Sequence, residues 1–312
     1  MRARRSLAAA SLACAAAALA ACANDFEKQS QITRLRVLGV QAEPAELVWT
    51  PDGGLPATTL TALAIDPSGA VITTRFSLCT AQGALPAPDI DCPGGAGFDL
   101  PDAGPLSARL DLGSPDLQAA AIALFASDAG LALGDAGITE LLAQGIPLLY
   151  GFELRAPAHG NPDGGPPPAP GYEVQRQIGL GTVTLRTAPA GSTANQNPRL
   201  RGVSAGGVEL AADGSSTLRA GVKIALLPLP ADDAKEATAA GPEKLNFSFY
   251  ATAGEVESLR STDTTATGQP GIASVDYTPP LIAPGGPVRL WVVVRDGRGG
   301  VGWLERRFSV AP

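Results

Sequence analysis

Leu290-Trp291-Val292-Val293-Val294-Arg295-Asp296-Gly297-Arg298-Gly299-Gly300-Val301-Gly302-Trp303-Leu304 is a pair of apolar runs around a five-residue turn. Val, Trp and Leu at successive positions suit a pleated, half-buried surface. Asp-Gly and Gly-Gly tolerate the positive φ that a tight hairpin demands. The pattern predicts strands over Val288 to Arg295 and Val301 to Val310. If Arg295 pairs with Val301, then Val293 faces Trp303, and Trp291 and Trp303 share one face. Leu290, Val292, Val294, Leu304 and Phe308 share the other. Both faces are then apolar, whereas the outer face of an antiparallel sheet is commonly polar. Either the Trp face is covered by the rest of the chain, or it is an exposed platform for a glycan or protein partner. Trp291 and Trp303 are therefore the candidate binding residues.

The same grammar recurs upstream. Arg34 to Val40, Thr58 to Ile65, Val71 to Cys79, Leu106 to Leu112, Leu148 to Arg155 and Tyr172 to Thr187 read as strands. So do Arg199 to Ser204, Thr217 to Leu227, Leu245 to Ala251 and Ile272 to Tyr277. Short apolar runs punctuated by 37 Gly and 28 Pro indicate an all-β protein. Helix signals cluster in one place. Ser114-Pro115-Asp116 offers an N-cap, a Pro at the first helical position and an acid in the first turn. Ile138 to Gln144 predicts one or two further turns. Residues 80–145 thus read as a partly helical insertion in a first sandwich of residues 34–188. Residues 189–198, rich in Pro, Gly, Ser, Thr and Asn, read as a linker, and residues 199–312 as a second sandwich. A weak internal repeat supports the division. Arg34-Leu35-Arg36 recurs as Arg199-Leu200-Arg201, Phe76-Ser77-Leu78 as Phe247-Ser248-Phe249, and Thr187-Ala188-Pro189 as Val310-Ala311-Pro312.

Residues 1–21 have the plan of a signal peptide: a basic start (Arg2, Arg4, Arg5), an Ala/Leu run, and small residues before Cys22. The run is short of the roughly 20 residues that span a bilayer. Leu19-Ala20-Ala21-Cys22 resembles the lipobox of bacterial lipoproteins. The resemblance implies cleavage before Cys22, acylation of its thiol and new amine, and residues 22–33 as a lipidated tether. Several chains at ~0.8 kcal/mol per buried methylene anchor stably. Ala23, not Asp, follows the Cys, which by the enterobacterial sorting habit places the protein in the outer membrane of a Gram-negative cell envelope.

Cys14 leaves with the leader. Cys79 and Cys92 remain, and in an oxidising compartment an even pair implies a disulfide. Its loop of about 13 residues is worth ~3 kcal/mol in the chain-entropy model. The formal charge is −7, and the leader carries basic residues but no acids, so the mature chain is more acidic still. An acidic chain with no basic cluster argues against nucleic acid and anionic lipid head groups as partners.

From the leader, the Leu35-Arg36-Val37-Leu38 strand and the last hundred or so residues, the chain resembles immunoglobulin-like or cadherin-like module pairs on predicted lipoproteins of GC-rich Gram-negative bacteria. That resemblance implies two β-sandwiches and carries no established activity. The immunoglobulin Cys…Trp…Cys signature is absent.

Catalytic chemistry finds little footing. The one histidine, His159, lies in a Pro/Gly loop, which removes Ser-His-Asp and Cys-His arrangements and His-based metal sites. Gly206-Gly207 lacks the Lys and the strand–loop–helix context of a phosphate loop. Glu43/Glu46 and Glu255/Glu257 are the paired carboxylates a hydrolase without His would need, but they sit on strand or turn faces. Asp89, Asp91, Asp99, Asp102, Asp128, Asp135 and Asp163 recur in turns without a calcium-loop spacing. The expectation is a non-enzymatic binding or structural module with no cofactor and no metal. The alternative is a subunit of an envelope or secretion assembly that docks a protein through the C-terminal hairpin.

Overall fold

The computed structural model describes residues 28–50, 54–79, 97–117, 119, 135–157, 174–187, 194–238, 241–264 and 269–312. The N-terminal half contains β1 (Arg36–Glu43), β2 (Glu46–Trp49), β3 (Ala57–Ile65), β4 (Thr73–Cys79), β5 (Gly97–Asp99), β6 (Asp102–Gly104), β7 (Ser107–Asp111), helix α1 (Asp135–Gln144), β8 (Ile146–Pro157) and β9 (Val174–Thr187). The C-terminal half contains β10 (Leu200–Ala205), β11 (Val208–Glu209), β12 (Thr217–Arg219), β13 (Ile224–Pro230), β14 (Ala237–Thr238), β15 (Gly241–Pro242), β16 (Asn246–Ala251), β17 (Glu255–Val256), β18 (Arg260–Thr262), β19 (Val275–Thr278), β20 (Val288–Arg295) and β21 (Val301–Ala311). The protein is all-β, as its punctuation predicts.

In the N-terminal half, sheet β1-β3-β7-β6 packs on sheet β2-β9-β8-β4-β5. Leu60, Ala108 and Leu110 of the first sheet meet Leu78, Tyr150, Leu154 and Val183 of the second. In the C-terminal half, β11-β10-β13-β19-β17 packs on β12-β21-β20-β16-β18, with Val203, Leu226 and Tyr277 against Phe247, Phe249, Val292 and Phe308. Each half has the ABE-plus-CFG strand order of an immunoglobulin-like sandwich.

The halves share a detail. In each, a short early strand leaves the first strand's sheet and runs parallel to the last strand: β2 in the N-terminal half, where Glu46 pairs with Thr184, and β12 in the C-terminal half, where Thr217 pairs with Ser309. That crossover explains two departures from expectation. Glu46–Trp49 is a separate strand beyond Pro44, which has no N–H for a ladder. The single strand expected over Thr217 to Leu227 is two, split where Gly221 takes φ +67°, because β12 joins one sheet and β13 the other. Phe76-Ser77-Leu78 and Phe247-Ser248-Phe249 fall on the equivalent strands β4 and β16, the Arg-Leu-Arg tripeptides lead into β1 and β10, and Thr187 ends β9 much as Ala311 ends β21; Ala188 and Pro189 lie outside the described residues.

The helical signals are placed as follows. Ser114 Oγ accepts the Leu117 N–H at 3.2 Å, an N-cap bond. Helix α1 starts three residues before the expected Ile138. It ends at Gly145, whose φ of +91° and N–H bond to Leu141 O make it a glycine C-cap. Cys92, His159 and most of the loop around it, and the leader with Cys22, lie outside the described residues.

Candidate functional site

The final hairpin has the expected register: Arg295 opposes Val301 and Val293 opposes Trp303. Its two faces divide as predicted. Leu290, Val292, Val294 and Phe308 join the C-terminal core, while Trp291 and Val293 join a third cluster with Ile32, Leu38 and Ile65. Trp303, Tyr250, Leu63 and Val301 pack around that cluster. The Trp face is therefore the joint between the sandwiches. Trp291 is 0% exposed, with Arg289 stacked on its ring at 4.6 Å. This corrects the expectation of an exposed platform: the outer face of β1 and β3 covers the indole, so Trp291 offers no surface to a glycan or partner. Trp303 is only partly buried, at the margin of the same cluster.

A bulge makes the joint. The register of β1 on β3 shifts between Val37 and Gly39. Leu38 is the extra residue, turned out of the N-terminal core into the third cluster, as bulges re-aim side chains. Arg295 Nη2 donates to the Leu38 carbonyl at 3.0 Å, and Gln41 Nε2 to the Val301 carbonyl at 2.8 Å.

Residues 194–198 are fastened to both sandwiches. Asn195 N–H donates to Glu46, and its Nδ2 to Asp296 Oδ2. Asn197 Nδ2 donates to Ala42 O and Glu43, while its Oδ1 accepts the Val301 N–H. A Cβ on Gly302 would lie 1.9 Å from Pro198 O, so glycine is what lets this segment pass. Asp296 accepts the N–H groups of Arg298 and Gly300 and closes the turn. Burial holds the Asp296 carboxyl above its ordinary range. Burial also pushes Glu46 up, but the Arg186 guanidinium and the Asn195 N–H outweigh it and hold it low.

Beside the joint opens a groove of about 390 Å³ between Val37–Val40 of β1 and Gln177–Thr182 of β9, with Tyr150, Phe152, Arg295, Gly299 and Val301 completing it. Two strand edges face it. Among the described residues β1 pairs only with β3. β9 pairs with β8 throughout but with β2 only over Glu46–Trp49, which leaves Val174–Val183 with one edge unpaired among the described residues. The Tyr150 and Phe152 rings pack down on Gly181 and Gly179, where a Cβ would stand 2.3 Å from each ring. Arg295 brings a half-buried cation to the groove; among the described residues it reaches, besides Leu38 O, Ser248 Oγ at 3.4 Å. Among the described residues no carboxylate pairs with it, and burial lowers its affinity for its proton. Burial likewise pushes the neighbouring Tyr150 phenol up to about 12. An unpaired strand edge and a half-buried guanidinium in a concave setting of mixed polar and apolar lining are the makings of a binding site, which local periodicity does not reveal.

The remaining candidates do not converge. Glu43 and Glu46 bond to different partners, Asn197 and Arg186. Glu255 pairs with Lys28, and Glu257 with Lys223. Asp99 pairs with Arg75. Gly206 and Gly207, with φ +58° and +87°, form the two-residue turn between β10 and β11. Cys79 ends β4 in the core.

No protein-family model matches the chain, and no curated protein matches it. Similar solved structures include the Yersinia pseudotuberculosis adhesin InvE (12% identity, 90% of this chain and 61% of that one, TM-score 0.22). Another is the Bacteroides ovatus glucan-utilization protein SGBP-B in complex with a mixed-linkage heptasaccharide (12%, 89% and 47%, TM-score 0.19). A third is dimeric latent PorU from Porphyromonas gingivalis (10%, 89% and 24%, TM-score 0.24). The chain spans less than two thirds of each of these proteins.

Proposed function

We propose that this chain is a non-enzymatic binding module of the bacterial cell envelope, held in the outer membrane by acyl chains on Cys22. Its ligand is an extended polypeptide segment with an acidic side chain, received in the groove between β1 and β9. The observation that carries this reading is the Arg295 guanidinium, on which no carboxylate sits among the described residues, beside the unpaired edge of β9. Main-chain bonds to a free edge give affinity in strand addition, and a carboxylate on Arg295 makes a charge-assisted bond. Stacking of a glycan on Trp291 is disfavoured because its indole is fully buried. Docking on Trp291 is closed for the same reason, and the partner of an envelope assembly would meet the groove instead.

The test places a photo-crosslinking amino acid at Ile178, in the groove, and at Ile272, away from it, in intact cells. Polypeptide adducts at position 178 that disappear in an Arg295→Met background support the reading. Equal adducts at both positions, or adducts indifferent to Arg295, sink it. The anchor is tested separately: Cys22→Ala protein that still partitions with membranes refutes lipidation.

A further inference from the structure

The tether side of the molecule has a direction. Residues 28–32 are fastened to the C-terminal sandwich, not the N-terminal one. Gln31 bridges Ala251, with bonds from Ile32 N to Ala251 O and from Ala251 N to Ser30 O. Ser30 is buried and its Oγ reaches Val256 O, and Lys28 pairs with Glu255. Lys28 thus sits beside the turn that joins β16 to β17, at one pole of the sandwich. Only the residues between Cys22 and Lys28 separate that point from the proposed lipid, a reach of at most about 20 Å when fully extended.

At the same pole lies the loop between β19 and β20. Thr278, where it starts, pairs with Glu255, and Leu290, just after it ends, pairs with Ala251. The loop carries Leu281 and Ile282 side by side, 83% and 86% exposed. Leu281 lies over Gly221, where a Cβ would stand 2.5 Å from its Cδ2, and Val222 next to it is also exposed. Aliphatic side chains this exposed and adjacent are a patch with a use, and the short tether says what covers it. We infer that the Leu281–Ile282 loop rests in the bilayer surface, a second contact that stands the two sandwiches on the membrane by the β16–β17 pole. This rests on the proposed acylation of Cys22. Two aliphatic side chains bury far less apolar surface than acyl chains do, so the loop reinforces and orients the anchor without replacing it.

The experiment uses full-length protein purified from membranes, with its acylation read by mass, in vesicles of phosphatidylethanolamine and phosphatidylglycerol. An NBD fluorophore is placed on Ile282→Cys or, as control, on Ile272→Cys, which is exposed at the far end of β19. The inference predicts blue-shifted NBD emission at position 282, quenched several-fold more by doxyl-labelled lipid than at 272. An acylated protein with equal, weak quenching at both positions overturns the inference and leaves the anchor standing. A blue shift at 282 without lipid quenching also overturns it, in favour of a protein contact. Absence of acyl mass on Cys22 overturns the anchor and this inference together.

Discussion

Arg295, the last residue of β20, donates to the carbonyl of Leu38, the bulged residue of β1, across 257 positions of sequence. The bulge frees that carbonyl from the β3 ladder and turns the Leu38 side chain toward Trp291. One irregularity thus supplies a hydrogen bond, an apolar contact and one wall of the groove.

Arg295→Met separates binding from folding. A desolvated cation without a carboxylate contributes little net stability, and an apolar side chain of similar volume replaces it at small cost. The variant is expected to stay within ~1 kcal/mol of the parent in urea denaturation and to lose groove ligation. A much larger loss would make Arg295 a structural strut.

Trp291→Ala empties the joint. Removing a fully buried Trp costs ~3–5 kcal/mol. Because the indole lies between the sandwiches, the denaturation profile is expected to split into two transitions. In a Trp49→Phe/Trp303→Phe background, Trp291 fluorescence is expected to resist iodide quenching; strong quenching would contradict its burial.

Gly302→Ala drives a Cβ into Pro198 O and must displace the 194–198 segment. Overpacking of this kind costs ~1–3 kcal/mol. The urea midpoint should fall while Gly297→Ala, strained only by its φ of +80° in an open turn, falls by less.

Acid sensitivity follows from two carboxyls with opposite signs. Glu46 is held below its ordinary 4.5, so its contribution is fully present above 4.5 and is lost as pH falls through its lower folded value. Asp296 is held above its ordinary 3.8, so its ionisation costs stability as pH rises from 3.8 through the folded value. Glu46→Gln is expected to lower stability by ~3 kcal/mol at neutral pH, by breaking a buried pair with Arg186. It is also expected to flatten the decline below pH 4.5, read from urea midpoints across the acidic range.

The disulfide proposed between Cys79 and Cys92 has its own readout. Neither thiol should react with a maleimide in the non-reduced protein, and reduction should lower stability by ~3 kcal/mol. Labelling of both thiols without reductant would refute it.

The sequence carried the final hairpin in full, because Val288–Arg295 alternates two apolar faces around a glycine turn, and register follows from the turn. It also carried the second face's ambiguity, since periodicity reports that a face is apolar and not what covers it. The strand switches at Pro44 and Gly221 were hidden, as β2 and β12 are short and are strands only through parallel pairing with β9 and β21. The groove was hidden too. Its lining comes from β1, β8, β9 and the final hairpin, and its key feature is an edge of β9 left unpaired among the described residues, which no local pattern records.

The most direct measurement is amide hydrogen exchange along β9 in the isolated protein, read residue by residue by NMR. The account predicts alternation from Val174 to Val183, with amides bonded to β8 slow and those facing the groove fast. Uniform protection along that stretch would mean the edge is already occupied, and the proposed binding site would not exist.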